Sequence, residues 1–356
     1  MAYLTLNRKK LRNNYNHLKS LFDKRNISWA VVTKLLCGSE PFVKEVIDLG
    51  IKEICDSRIS NLALIKELAP DVQTIYIKPP AKEAIEDVIT YADVSFNTEL
   101  ETMRWLSAEA VKQNKLHKVV VMIELGDLRE GVMGNELIDF YGKVFELPKL
   151  EIVGIGANLN CLHGVMPSQD KLIQLSLYKQ LIEAKFNRKI AWVTGGTSVV
   201  IPLIHIHQLP AGINHFRVGE ALYFGKDLVH DTTFDGMYDD VLELYAQIIE
   251  ITEKPKIPIG NMEANPSGDT YQINEADYGK KSHRAILDVG LLDVSSDYLI
   301  PEDESIEFVG ASSDMLVVDL DNNQQHYQVG EILRFKLKYM GALSLLNSAY
   351  IEKRVI

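Results

Sequence analysis

Between residues 28 and 235, eight short apolar runs (29–32, 51–55, 74–77, 94–96, 119–123, 152–155, 191–193 and 215–218) alternate with stretches of helical periodicity. Runs this short and this continuously apolar predict strands buried on both faces. The intervening helical stretches, which include 61–68, 81–91, 99–114 and 168–186, supply the crossovers that parallel strands require. Eight such units in about 210 residues predict a (β/α)8 TIM-type barrel rather than an open doubly wound sheet. In the stretch 168–186, Ser168 is placed to accept from early backbone N–H groups, Asp170 suits the positive helix end, and Leu172, Leu175, Leu181 and Ile182 form the expected apolar face.

After about residue 236 the pattern changes. Leu333, Phe335 and Leu337 alternate with Arg334, Lys336 and Lys338, the period of a half-buried strand, and further strands are expected at 242–251, 285–289, 305–309 and 315–320. The segment 255–279, punctuated by Pro255, Pro258, Gly260, Pro266, Gly268 and Gly279, predicts a long turn-rich connection. Two domains are therefore expected: a barrel over residues 8–235, its first helix at 8–22, and a C-terminal β-rich domain over residues 236–356. The strand-like Tyr3-Leu4-Thr5-Leu6 within residues 1–7 is expected to join the second domain.

The formal charge of −11 argues against a nucleic-acid surface, which needs clustered Lys and Arg to displace counterions. No apolar stretch reaches the ~18 residues that a membrane span requires. Cys37, Cys55 and Cys161 are odd in number and widely spaced, with no CxxC or metal-ligand pattern, so neither a disulfide framework nor a metal site is expected. A soluble protein of the reducing cytoplasm fits these features.

The chemistry concentrates at strand ends. Lys34 stands where Ala30-Val31-Val32 gives way to Cys37-Gly38-Ser39, the position at which barrel enzymes present catalytic groups. A lysine in a largely desolvated pocket has its pKa lowered, and its free amine can condense with a carbonyl; a strand-end lysine reaching solvent is the plain alternative. Gly195-Gly196-Thr197-Ser198 follows the seventh run and Arg217-Val218-Gly219-Glu220 ends the eighth, where barrels commonly bind phosphate. One amine for an aldehyde and one anion site for a phosphate are what pyridoxal 5'-phosphate requires.

Three further segments join these: Gly126-Asp127-Leu128-Arg129-Glu130-Gly131, Gly156-Ala157-Asn158-Leu159-Asn160-Cys161 and Val309-Gly310-Ala311-Ser312-Ser313-Asp314. With them the chain resembles the alanine racemase-like, fold-type III pyridoxal-phosphate enzymes, and more closely their alanine/ornithine racemase branch. The resemblance implies a barrel with a C-terminal β-domain and a homodimer with shared active sites. It also implies racemisation of a free amino acid, alanine or a basic one such as ornithine or lysine, and the ornithine-like resemblance together with the acidic balance tilts toward the basic ones.

By the same resemblance Lys34 would carry the cofactor and act as one acid/base on the α-carbon. Arg217 would face the pyridine nitrogen. Arg129 would lie near the cofactor's phenolic oxygen and the substrate carboxylate, and Asn158 would stand where alanine racemases place a histidine beside the ring. Gly196, Thr197, Ser198, Gly219 and Glu220, the last through its backbone N–H, would hold the phosphate, and Tyr350 would match a C-terminal tyrosine that reaches it.

One departure stands out. Alanine racemases supply a second base, a tyrosine in a Gly-Tyr-x-Asp-Gly segment. The matching stretch here is Gly290-Leu291-Leu292-Asp293-Val294, with leucine in place of the phenol. Inversion calls for a proton carrier on each face of the α-carbon, so Asp314 and Cys161 are the leading candidates, with Asp293 a third. Decarboxylation, which the same fold performs, and a non-catalytic cofactor-binding regulator are the competing functions.

Overall fold

The structure is a computed structural model describing residues 2–264 and 270–356; Pro266 and Gly268 of the expected turn-rich connection lie outside the described residues. The chain divides into two compact units. One is Asn7–Val241; the other joins the residues up to Leu6 with Leu242–Arg354.

The first unit is a parallel barrel. Its strands run in the order Trp192–Thr194, Leu150–Gly156, His117–Met122, Val94–Asn97, Gln73–Tyr76, Glu53–Asp56, Ser28–Val32, His215–Val218 and Gly196–Thr197. Eight of these lie on the eight apolar runs. The ninth, Gly196–Thr197, falls in what reads from sequence as a Gly-rich loop: it is two residues long, too short to show a period. Inward-facing Ala30, Val32, Cys55, Ile75, Val94, Phe96, Val120 and Met122 pack into one buried cluster, so the barrel is filled rather than hollow. Asn214 closes the ring. Its backbone N–H donates to Val193 O at 3.3 Å, and its side-chain Oδ1 accepts from Val193 N–H at 2.8 Å.

The first helix, Arg8–Asp23, starts at Asn7, whose Oδ1 accepts from Lys10 N–H at 3.1 Å. It buries Leu11, Asn14, Tyr15, Leu18 and Phe22 on one face, and Phe22 meets Trp29 and Phe216 with ring centroids 5.3 and 5.0 Å apart. The helix Gln169–Phe186 departs from expectation in two ways. Leu181 is 48% exposed while Leu172, Leu175, Ser176 and Ile182 are buried; seven residues separate 175 from 182, which returns to the same face, whereas six do not. Ser168 stands at the helix N-cap but its hydroxyl makes no capping bond. The expected helix 81–91 opens as a tight turn, Lys82–Ala84, before Ile85–Tyr91.

The second unit is an antiparallel sheet in the order Leu299–Pro301, Ile332–Leu337, Leu242–Pro255, Lys281–Leu287, Leu316–Asp319 and Glu307–Ala311. Tyr3–Leu6 pairs with Leu242–Pro255, Tyr3 opposite Tyr245, and also with Glu352–Val355. As the period-2 pattern requires, Leu333, Phe335 and Leu337 are buried. The strand Leu242–Pro255 serves two neighbours: its first half pairs with Ile332–Leu337, and a register shift between Ile248 and Glu250 turns the second half onto Lys281–Leu287.

Candidate active site

The carboxyl ends of the barrel strands gather the chemistry-bearing residues. Lys34 opens the tight turn Lys34–Leu36 that follows Ser28–Val32. Behind it, Thr33 N–H donates to Cys55 O at 2.9 Å and Thr33 Oγ1 to Asp56 Oδ2 at 2.8 Å, tying the end of the first strand to the second. Lys34 is exposed, contrary to the expected desolvated pocket, because it lies on the solvent side of this turn while Leu35 and Leu36 take the buried side. No partner takes its Nζ among the described residues. The Glu220 carboxyl, raised by burial, feels the charges of Lys226 and Lys34.

Arg217 is 5% exposed on the strand His215–Val218. Burial lowers its pKa. Its Nη1 donates to Thr194 O at 2.8 Å and Thr194 Oγ1 at 2.6 Å, and its Nη2 to Ala157 O at 3.0 Å and Asn158 Oδ1 at 2.9 Å. The guanidinium carbon lies 5.2 Å from the Phe96 ring centroid. Of the five N–H groups, only Nε–H has no partner among the described residues.

From Arg217 the network continues outward. Asn158 Nδ2 donates to Glu130 Oε1 at 2.9 Å, and Glu130 is gripped by Nε and Nη2 of Arg129. The Arg129 fork expected to hold a substrate carboxylate is thus spent on its neighbour, leaving Nη1. Gly131 makes the turn possible: at φ +149 a Cβ there would lie 2.2 Å from Glu124 N. The Cys161 thiol is exposed and lies close enough to Arg129 and Arg217 that a thiolate there would favour both charges.

The loops after the last strands meet side by side. Gly196 pairs with Phe216 and Thr197 with Arg217; a Cβ on Gly196 would stand 2.3 Å from the Phe216 ring, so only glycine lets this backbone approach. Gly219 precedes the short helix Glu220–Phe224. Ser198 is buried and its Oγ accepts from Ala221 N–H at 3.1 Å, fastening one loop to the other. In the second unit, Tyr350 is 86% exposed on a turn near the C-terminus. Asp314 is also exposed and accepts from the Ser313 hydroxyl in the turn between Glu307–Ala311 and Leu316–Asp319.

Asp56, Thr194, Glu130 and Asp127 carry weight that the sequence reading did not assign. A carboxylate closing the run Ile54-Cys55-Asp56, at a strand's carboxyl end, was the available signal for the first. Asp127 is a loop organiser. Its carboxylate accepts from the backbone N–H groups of Cys161 (3.2 Å), Leu162 (2.8 Å), His163 (3.4 Å) and Val165 (3.1 Å). Burial pushes this carboxyl up, but the four N–H groups outweigh it and leave it below its ordinary value. Its contribution is therefore present above the ordinary aspartate range and lost as pH falls through the lowered value. In Asp127→Ala, amide hydrogen exchange at Leu162 and Val165 is expected to quicken about ten- to hundredfold, as losing bonds to a charged acceptor implies; unchanged exchange would refute the role.

With this geometry in hand, comparison places the chain. The family described as alanine racemase, N-terminal domain, matches residues 6–227. An ornithine racemase of Acetoanaerobium sticklandii is 36% identical over 354 residues, covering 99% of each chain. A lysine racemase of Thermotoga maritima is 30% identical over 353 residues, covering 98% of this chain and 97% of the relative. Among solved structures, an alanine racemase from Bartonella henselae with covalently bound pyridoxal phosphate superposes with a TM-score of 0.75 at 17% identity, covering 100% of this chain and 99% of the other. That of Clostridium difficile 630 superposes with a TM-score of 0.74 at 16% identity, covering 100% and 95%. The chain belongs to the alanine racemase family, and it is an amino-acid racemase.

Proposed function

We propose that the chain is a pyridoxal 5'-phosphate-dependent racemase of a free basic amino acid such as ornithine or lysine, working as a cytoplasmic homodimer with shared sites. The barrel, residues 8–235, would be its cofactor domain. The observation that carries the reading is Arg217: a buried guanidinium with one N–H still to spend, at the same barrel end as an unpaired lysine amine. The residues suit the cofactor. Arg217 Nε–H offers a donor to an aromatic nitrogen, Lys34 an amine to an aldehyde, and the glycine-lined loops at Gly196, Thr197 and Gly219 close backbone approach to a phosphate. The ornithine and lysine racemases among the relatives support the substrate class, and three free cysteines, Cys37, Cys55 and Cys161, suit a reducing cytoplasm.

When bound, the cofactor would supply an electron sink that makes the α-hydrogen of an attached amino acid removable. The rest falls to side chains. Lys34 Nζ would hold the cofactor and would give or take a proton on one face of the α-carbon. Arg217 cannot surrender its proton, so beside the ring nitrogen it would leave that nitrogen unprotonated and moderate the sink. Arg129, oriented by Glu130, offers Nη1 to the substrate carboxylate. Thr197, Ser198 and the backbone N–H groups at Gly219 and Glu220 hold the phosphate, with Tyr350 as a further contact; Asp314 or Cys161 serves the opposite face. Single amino acids incubated with protein and cofactor and resolved by chiral chromatography test the reading. Ornithine or lysine is expected to racemise fastest; inversion of alanine alone would overturn the substrate class, and release of carbon dioxide without inversion the reaction.

A further inference from the structure

Beneath Arg217 the barrel interior holds a buried polar chain that the reading above leaves unused. His215 lies two residues before Arg217 on the same strand, so both side chains point to one face. The imidazole is fully buried and stacks on Trp192, ring centroids 4.4 Å apart and planes 11° apart. Its Nδ1 is 2.9 Å from Thr194 Oγ1, the oxygen that accepts from Arg217 Nη1, and its Nε2 is 2.9 Å from Glu53 Oε2. Glu53 opens the strand Glu53–Asp56, toward the amino end of the barrel, and its side chain is 16% exposed.

We propose that Glu53 and His215 are positioning residues which, through Thr194, orient Arg217 and set the strength of the hydrogen bond it offers to the cofactor ring. The donors and acceptors permit one consistent direction. A carboxylate only accepts, so His215 Nε2 carries a hydrogen toward Glu53 and Nδ1 is left as an acceptor. Thr194 then spends its single hydrogen on Nδ1, and its oxygen is free to accept from Arg217. The opposite tautomer would set a bare nitrogen against the carboxylate. A charged imidazole would leave the Thr194 hydrogen without a partner in a buried place, which is costly.

The arrangement also explains how a buried cation is tolerated. Arg217 bonds only neutral oxygens, and each nearby carboxylate reaches it through a neutral intermediary: Glu130 through Asn158, Glu53 through His215 and Thr194. The positive charge is compensated without being quenched by direct contact, so the remaining Nε–H stays a strong donor. Burial holds His215 below the usual histidine range although Glu53 pulls the other way, in keeping with a neutral ring.

This inference rests on the assignment of Arg217 to the cofactor ring, and the experiment separates the two. Nitrogen-15 NMR of the wild-type protein without cofactor should show His215 as the Nε2–H tautomer; a charged ring or the Nδ1–H tautomer would overturn the chain without any variant. In the cofactor-loaded enzyme, Glu53→Gln and His215→Phe should each lower kcat about tenfold, the scale of one hydrogen bond to a charged group, with KM nearly unchanged. Both should shift the absorbance of the bound cofactor in the direction that Arg217→Lys does, and the double variant should be no worse than the singles. Unmoved absorbance and kcat in both, alongside a shift in Arg217→Lys, would overturn the chain alone. An unmoved Arg217→Lys spectrum would overturn the placement of Arg217 and the chain with it.

Discussion

Lys34→Ala is expected to fold normally, fail to retain pyridoxal phosphate covalently, and lose racemisation by at least the ~10²–10⁴-fold typical of a positioned acid/base. Lys34 is exposed, and no ion pair or hydrogen bond occupies its amine among the described residues. Removing the side chain therefore takes away little packing, and the loss reads as chemistry rather than stability. The surrounding turn is held independently by Thr33 on Cys55 and Asp56, so the strand end keeps its shape in the variant. In wild type, borohydride treatment followed by peptide mapping should leave the cofactor on Lys34. A label on another lysine would refute the assignment, as would a Lys34→Ala protein that still inverts substrate at the wild-type rate.

The barrel was legible because its strands are buried on both faces, and continuous apolar runs such as Val31-Val32 and Val119-Val120-Val121 have few other uses. Lys34 and Arg217 could be placed at one barrel end from their positions in those runs. What surrounds them could not. Arg217 depends on Thr194, Ala157 and Asn158, which lie 23, 60 and 59 residues away, and such contacts leave no local period. Asp127 looks like an ordinary loop carboxylate until the backbone of residues 161–165 folds over it. The exposure of Leu181 and the pairing of Gly196–Thr197 were equally out of reach, the first because a one-position phase error decides the helix face, the second because two residues show no alternation.

Inversion should survive the missing phenol, with Asp314 favoured over Cys161 as the second proton carrier. Leu291, at the phenol's position, is 43% exposed and has no proton to give. The turn bearing Asp314 is fastened beside it: Leu291 and Leu292 donate backbone N–H groups to Ser312 O (3.0 Å) and Ser313 O (2.8 Å). A Cβ on Gly290 would fall 2.6 Å from Asp314 Cα, so the two segments meet in backbone contact. A carboxylate can thus replace a phenol with only a short displacement along the chain surface. In heavy water, wild type should place solvent deuterium at the α-carbon of product of the opposite hand. Asp314→Asn should keep α-hydrogen exchange on the Lys34 face while inversion falls ~10²–10⁴-fold. If sites are shared between copies, mixing Lys34→Ala with Asp314→Asn subunits should restore activity in heterodimers. Wild-type inversion in Asp314→Asn with loss in Cys161→Ala would move the role to the thiol, and wild-type rates in both would exclude the two residues together.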